Sequence, residues 1–146
     1  MSLRLHALVP SLEGATQWIN GKPTSEDLKG PLLIYFWAVS CQVCHKNMPK
    51  LQDWREVCTP RGLNMIAVHC PRMKTDTDIE KVKAAVEAYG ITEPCAVDNM
   101  HKIKKAFDNQ YWPAYYLFDA DGALKRRAAG NNGLAILAPL VEKMFG

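Results

Sequence analysis

Two cysteines three residues apart, Cys41 and Cys44, stand in FWAVSCQVCHKNMP, residues 36–49, where an apolar run gives way to a polar, helix-patterned one. A C-x-x-C pair is open to three chemistries: half of a zinc site, a redox dithiol or, with His45 directly after it, a thioether-bound haem. A structural zinc needs four ligands. Cys58, Cys70 and Cys95 form no second pair, and the four histidines show no H-x3-5-H spacing, so no metal is expected. A c-type haem needs an apolar pocket and attachment outside the cytoplasm, whereas this motif sits at a strand-to-helix junction. The redox dithiol makes a demand the motif meets. At a helix N-terminus the unsatisfied N–H groups and the positive end of the dipole stabilise a thiolate. The spacing seats Cys41 there and puts Cys44 one turn in, placed to attack a mixed disulfide formed by its partner. Two buried structural thiols remain the bland alternative.

The elements that must position this pair follow from periodicity. Residues 32–39 are apolar on both alternating faces, which predicts a central strand covered on both sides. After Cys41 the apolar residues Cys44, Met48, Leu51, Trp54 and Cys58 recur every three or four positions, a helical stripe with Pro49 inside it. Residues 63–68 predict the next strand and 71–77 a polar link. Asp78 opens a helix with the face Ile79, Val82, Val86 and Tyr89, closed by Gly90. A short strand at 95–97, a short helix over 101–107, and two strands at 115–118 and 124–128 follow. Asp121-Gly122 between the last two is a hairpin signal. A final helix runs from Gly133 through Ile136, Leu140 and Met144. Asn20-Gly21 predicts a further small hairpin within residues 11–30. Strands alternating with helices give an α/β sandwich around a mixed sheet.

Composition fits that picture. The chain has 146 residues, enough for one domain spanning 1–146 with an N-terminal extension over about 1–30, and is 48% hydrophobic and 23% charged. With 18 Lys+Arg against 15 Asp+Glu the net charge is +3, and the basic pairs Lys104-Lys105 and Arg126-Arg127 lack the interleaved aromatics of a nucleic-acid platform. No apolar run approaches the length of a membrane span. Arg4 and His6 interrupt the first residues, so no export signal is expected and the cytoplasm is the expected compartment. An odd count of five cysteines suits that reducing compartment.

The motifs F-W-A-x-x-C-x-x-C with Met48-Pro49, and W-P-A-Y-Y-L-F-D-A-D-G at 112–122, resemble the thioredoxin superfamily and, within it, the TlpA/ResA-like branch, from about residue 28 to the C-terminus. V-H-C-P-R at 68–72, V-D-N-M-H-K at 97–102 and F-D-N-Q-Y-W-P-A-Y-Y at 107–116 look like the leaderless thiol–disulfide oxidoreductases of bacilli. The resemblance implies a thioredoxin-like three-layer sandwich, with a mixed sheet, helices on both faces and a helical insertion at about 71–90. It implies that Cys41 attacks and Cys44 resolves. Pro113 would be a cis-proline facing the disulfide, and the Trp112 backbone would pair with an extended substrate segment. Trp37 would pack beside the disulfide, with His45 and Lys46 supporting the thiolate. The expected activity is exchange with protein thiols and disulfides by a monomer, with a separate electron donor, no cofactor beyond the redox-active disulfide, and neither nucleic acid nor membrane as partner. A peroxiredoxin-type thiol peroxidase shares the fold, but it favours Thr and Pro before the reactive Cys, where this chain has Ala38-Val39-Ser40. A haem-binding electron-transfer module is the rival of another class.

Two positions depart from the family pattern. Tyr35 stands where thioredoxin has a buried Asp, and Arg72 near where relatives carry a Glu. The proton acceptor for Cys44 is therefore open, with Asp76, Asp78 and Glu80 as candidates whose ordinary expectation is a solvated surface. Cys58 and Cys95 fall on apolar positions and read as small core residues, and Cys70 is placed where it could approach the site.

Overall fold

Six strands and four helices follow one another in the computed structural model, which describes residues 3–145. They are β1 (Gln17–Ile19), β2 (Leu32–Trp37), α1 (Gln42–Val57), β3 (Asn64–His69), α2 (Ile79–Ala88), β4 (Cys95–Val97), α3 (Lys102–Phe107), β5 (Ala114–Phe118), β6 (Leu124–Ala129) and α4 (Gly133–Phe145). The strands form one sheet in the order β1-β4-β3-β2-β5-β6. β2, β3 and β4 run parallel to their neighbours in that series, whereas β1, β5 and β6 pair antiparallel, so the sheet is mixed.

β2 explains its own sequence. All six of its residues, LLIYFW, are buried, because each face of the sheet carries a layer. Leu33, Tyr35 and Trp37 join a cluster with the inward residues of α1, α2 and α4. Leu32, Ile34 and Phe36 join a second cluster with Ile103 and Phe107 of α3, against which the N-terminal residues Val9, Leu12 and Trp18 pack. The Phe36 ring stands edge-on to Phe107 at 5.2 Å and to Tyr116 at 5.7 Å, the geometry aromatic quadrupoles favour. This is the expected three-layer arrangement.

The N-terminal hairpin expected around Asn20-Gly21 does not form. Both residues do take positive φ, 65° and 90°, but β1 pairs with β4, Trp18 opposite Ala96, and no second strand follows before β2. The Asn20 amide donates to the carbonyls of Ile91 and Glu93 at 2.8 and 3.1 Å, so the bend serves the approach to β4. Pro23 then lacks the N–H a ladder needs, and Asp27 accepts from the Thr24 N–H at 2.8 Å to close a turn instead.

The remaining elements lie close to their expected positions. Asp78 caps α2 by accepting from the Glu80 N–H at 3.1 Å. α1 continues through Pro49. In α4 the inward residues are Leu134, Leu137, Val141 and Phe145, while Ile136 is 43% exposed and Leu140 and Met144 only half-buried. No helix among the described residues is long and apolar enough to cross a membrane.

Candidate redox site

β2 ends at Trp37, and four residues later Cys41 forms the N-cap of α1. Its extended backbone, φ −89° and ψ 101°, lets the sulfur accept from the Cys44 N–H at 3.1 Å. That is an N-cap interaction made by a cysteine in place of the usual hydroxyl or carboxylate. Cys41 and Cys44 form a disulfide with a Cα–Cα separation of 5.2 Å. Each is only 2% exposed, and no acidic residue occupies the first turn of α1. The helix end therefore favours negative charge on the Cys41 sulfur within a poorly hydrated pocket.

The loop feeding Cys41 is tied down from two sides. The Val39 N–H donates to His69 Nε2 at 3.1 Å. Ser40 donates both its N–H, at 3.0 Å, and its hydroxyl, at 2.7 Å, to the Asp76 carboxylate. His69 ends β3 opposite Trp37, and the two rings meet T-shaped at 4.8 Å. Burial lowers the His69 pKa to about 4, against a smaller opposing pull from Asp76, so the ring is neutral at physiological pH. Because Nε2 accepts, the proton sits on Nδ1, a buried atom with no hydrogen-bond partner.

Asp76 corrects an expectation. It is 1% exposed rather than solvated, because the turn Lys74–Thr77 folds it inward onto Ser40 and onto the backbone N–H groups of Arg72 and Met73. Burial would raise its pKa, but the hydrogen bonds from Ser40, Arg72 and Met73 outweigh that and hold the carboxyl below its usual range. Asp78 and Glu80 are exposed as expected. The Arg72 guanidinium donates to the Ser40 carbonyl at 3.3 Å.

Of the other candidate residues, Trp37 is fully buried in the cluster that holds both redox cysteines. Trp112 packs against that same cluster and donates its indole N–H to the Cys70 carbonyl at 2.8 Å, with Lys104 over its ring at 5.8 Å. The Trp112–Pro113 bond is cis. It directly precedes β5, whose Ala114 pairs with Phe36 in the strand that leads to Cys41. His45 turns away toward α2, where its Nδ1 meets the Tyr89 hydroxyl. Lys46 is exposed.

Cys70 is fully buried in the cluster on the opposite face of the sheet from Cys41 and Cys44. One position on from His69, it is turned the other way by the two-residue strand period. Burial, with Asp98 adding to it, pushes its thiol up to about 12. Cys58, Cys70 and Cys95 are all free thiols, and all are buried.

Sequence reasoning missed a buried ion pair at the far end of the redox helix. Arg55 of α1 binds Glu93 bidentately at 2.6 and 2.8 Å, and the Tyr35 hydroxyl donates to the same carboxylate at 2.7 Å. Tyr35 thus has a carboxylate partner, delivered from the approach to β4. A hydroxyl on an otherwise apolar central strand was the available signal, since a buried O–H needs an acceptor.

The arrangement can store two electrons on adjacent sulfurs, with the helix end favouring a thiolate at Cys41. Residues 7–127 match the model of the AhpC/TSA family. The thiol-disulfide oxidoreductase YkuV of Bacillus subtilis is 39% identical over 145 residues, 98% of this chain and 97% of its own length. Protein DipZ of Mycobacterium tuberculosis is 33% identical over 141 residues, which make up 93% of this chain but 20% of DipZ. A solved structure described as a thioredoxin-like protein in the oxidized form superposes with a TM-score of 0.85 at 36% identity, covering 98% of this chain and 97% of that one.

Proposed function

The chain belongs to the AhpC/TSA family and is a thioredoxin-like thiol–disulfide oxidoreductase, and we propose that it reduces or exchanges protein disulfides with Cys41 attacking and Cys44 resolving. The observation that carries the division of roles is the Cys41 sulfur at the N-cap of α1, accepting the Cys44 N–H. In the dithiol state the Cys41 thiolate attacks one sulfur of a substrate disulfide, forming a mixed disulfide and expelling the other substrate sulfur as a thiolate. Cys44 then loses its proton and attacks the Cys41 sulfur, releasing the second substrate thiol and closing the Cys41–Cys44 bond. Two electrons pass to substrate, and no further cofactor enters the balance.

Docking falls to Trp112 and Pro113. The β5 ladder begins at Ala114, so the Trp112 backbone stands ahead of it as an edge on which an extended peptide segment can pair. Trp37 and Trp112 limit hydration of the sulfurs, and the exposed Lys46 adds positive charge near the helix end. A separate thiol donor returns the enzyme to the dithiol. The three buried free thiols support work in the reducing cytoplasm, and the complete site within one chain supports a monomer.

Insulin reduction by variants tests the roles. Cys41→Ser should abolish turnover, whereas Cys44→Ser should trap a mixed disulfide with substrate, visible on a non-reducing gel. Normal cycling by Cys44→Ser together with an active Cys41→Ser would overturn the assignment.

A further inference from the structure

Asp76 is a carboxylate that the exchange chemistry does not itself require, yet it is buried and bound to Ser40, the residue before the attacking cysteine. It accepts four hydrogen bonds: from the Ser40 N–H at 3.0 Å, the Ser40 hydroxyl at 2.7 Å, and the N–H groups of Arg72 at 2.9 Å and Met73 at 3.3 Å. Every one of these donors is neutral. None of the ion pairs among the described residues includes Asp76. Of the two cations nearest in sequence, Lys74 is exposed and in none of those pairs, and Arg72 directs its guanidinium to the Ser40 carbonyl instead. His69, from β3, is held neutral by burial. Cys70, directly after that strand, stays protonated. The carboxylate therefore keeps its full negative charge beside the N-terminus of α1, where Cys41 must itself become negative.

We propose that Asp76 is a positioning residue for the redox pair, pinning Ser40 in place ahead of the nucleophile while its charge keeps Cys41 a weaker acid and the dithiol a stronger reductant. This rests on Cys41 being the attacking thiol. The physics has two parts. Fixing the Ser40 N–H and hydroxyl fixes the backbone that aims Cys41 at the helix end. A like charge close by disfavours the thiolate and so subtracts from what the helix terminus adds. A reduced state with a less stable thiolate is less favoured relative to the disulfide, which makes the dithiol give up its electrons more readily. Residues 72–76, and not the helix alone, would thereby set the working potential.

The test compares the full-length wild type with Asp76→Asn and Ser40→Ala, following the rate of iodoacetamide reaction with Cys41 against pH and the equilibrium with glutathione. Asp76→Asn keeps an acceptor for the Ser40 N–H but removes the charge. Its Cys41 pKa should fall by about one pH unit, iodoacetamide should react several times faster at pH 6, and the glutathione equilibrium should move toward the dithiol. Ser40→Ala keeps the charge and loses one hydrogen bond, so its Cys41 pKa should stay at or above the wild-type value. A purely structural role would lower the melting temperature of both variants and leave both pH profiles where they were. A folded Asp76→Asn with an unchanged or raised Cys41 pKa overturns the proposal, as does a fall in Ser40→Ala equal to that in Asp76→Asn. If Asp76→Asn does not fold, the smaller neutral Asp76→Thr reads the same shift. Wild-type protein unable to reduce insulin would instead overturn the assignment of Cys41, whatever Asp76→Asn shows.

Discussion

His69 gives the molecule an acid-sensitive joint next to its redox cysteines. Burial lowers its pKa from 6.5 to about 4, so the unfolded chain takes up a proton as pH falls through about 6.5 while the folded protein does so only near 4. Stability should therefore be fully present above about pH 6.5 and be lost between there and pH 4, by about 3 kcal/mol for this one group. Asp76, whose pKa is lowered, adds a loss only below the usual carboxylate range of about 4. Urea unfolding at pH 7 and pH 5 should show the His69 loss in the wild type and most of it removed in His69→Gln, which keeps an acceptor for the Val39 N–H. Equal losses in both proteins would mean another group is responsible. The sequence revealed Cys41 and Cys44 because their chemistry depends on residues three apart. It named Asp76 only as one of three candidate carboxylates and did not reveal His69 or Glu93, because the partners Ser40, Val39 and Tyr35 lie 36, 30 and 58 positions away. Only the tertiary fold brings them together, and nothing local encodes that.

Arg55 and Glu93 act between elements, fastening the last turn of α1, the redox helix, to the entry of β4. Their side chains are 9% and 7% exposed, and the bidentate contact and the Tyr35 hydroxyl bring three donors to the carboxylate. Such a pair contributes little over well-packed apolar residues, but removing one partner leaves a buried charge. Arg55→Met should therefore cost about 3–5 kcal/mol, whereas the triple variant Arg55→Met, Glu93→Leu, Tyr35→Phe should recover most of it. Denaturant midpoints would decide, and a single variant as stable as the wild type would show that Glu93 finds solvent. Elements read from sequence in the same uneven way as residues. β2, α1, α2 and the β5–β6 hairpin were legible because their apolar periods and caps are local. The hairpin at Asn20-Gly21 misled because its turn signal is real, with both residues at positive φ. The edge of β4 offered β1 a better partner than the Pro23 segment could. In α4 every register carries apolar residues, so periodicity located the helix without saying that Leu134, Leu137 and Val141 would face the sheet and Ile136 would not.

On the scale of the whole molecule, redox state and folding stability are one linked equilibrium. Oxidised and reduced protein, each folded or unfolded, form a closed cycle. The excess stability of the oxidised form therefore equals the preference of the folded protein for the disulfide over that of the unfolded chain. An oxidant of the DsbA kind stabilises its reduced form. This site should have the opposite bias. The disulfide is embedded in the same cluster as Trp37, Met48 and Leu51, the Cys41 sulfur already caps α1 as half of that disulfide, and a buried carboxylate stands near the place where a thiolate would form. Folding should thus favour the disulfide, and the oxidised protein should melt at a higher temperature than the dithiol. The potential should lie nearer that of thioredoxin, about −270 mV, than that of DsbA, about −120 mV. Every 30 mV by which the folded protein is more reducing than its unfolded chain corresponds to about 1.4 kcal/mol of extra stability in the oxidised state. Calorimetry on the two states, paired with glutathione equilibration, measures both sides of the cycle independently. A reduced form that melts above the oxidised one, or a potential above about −180 mV, would make this protein a donor of disulfides, and the reductase role in a reducing compartment would fall with it.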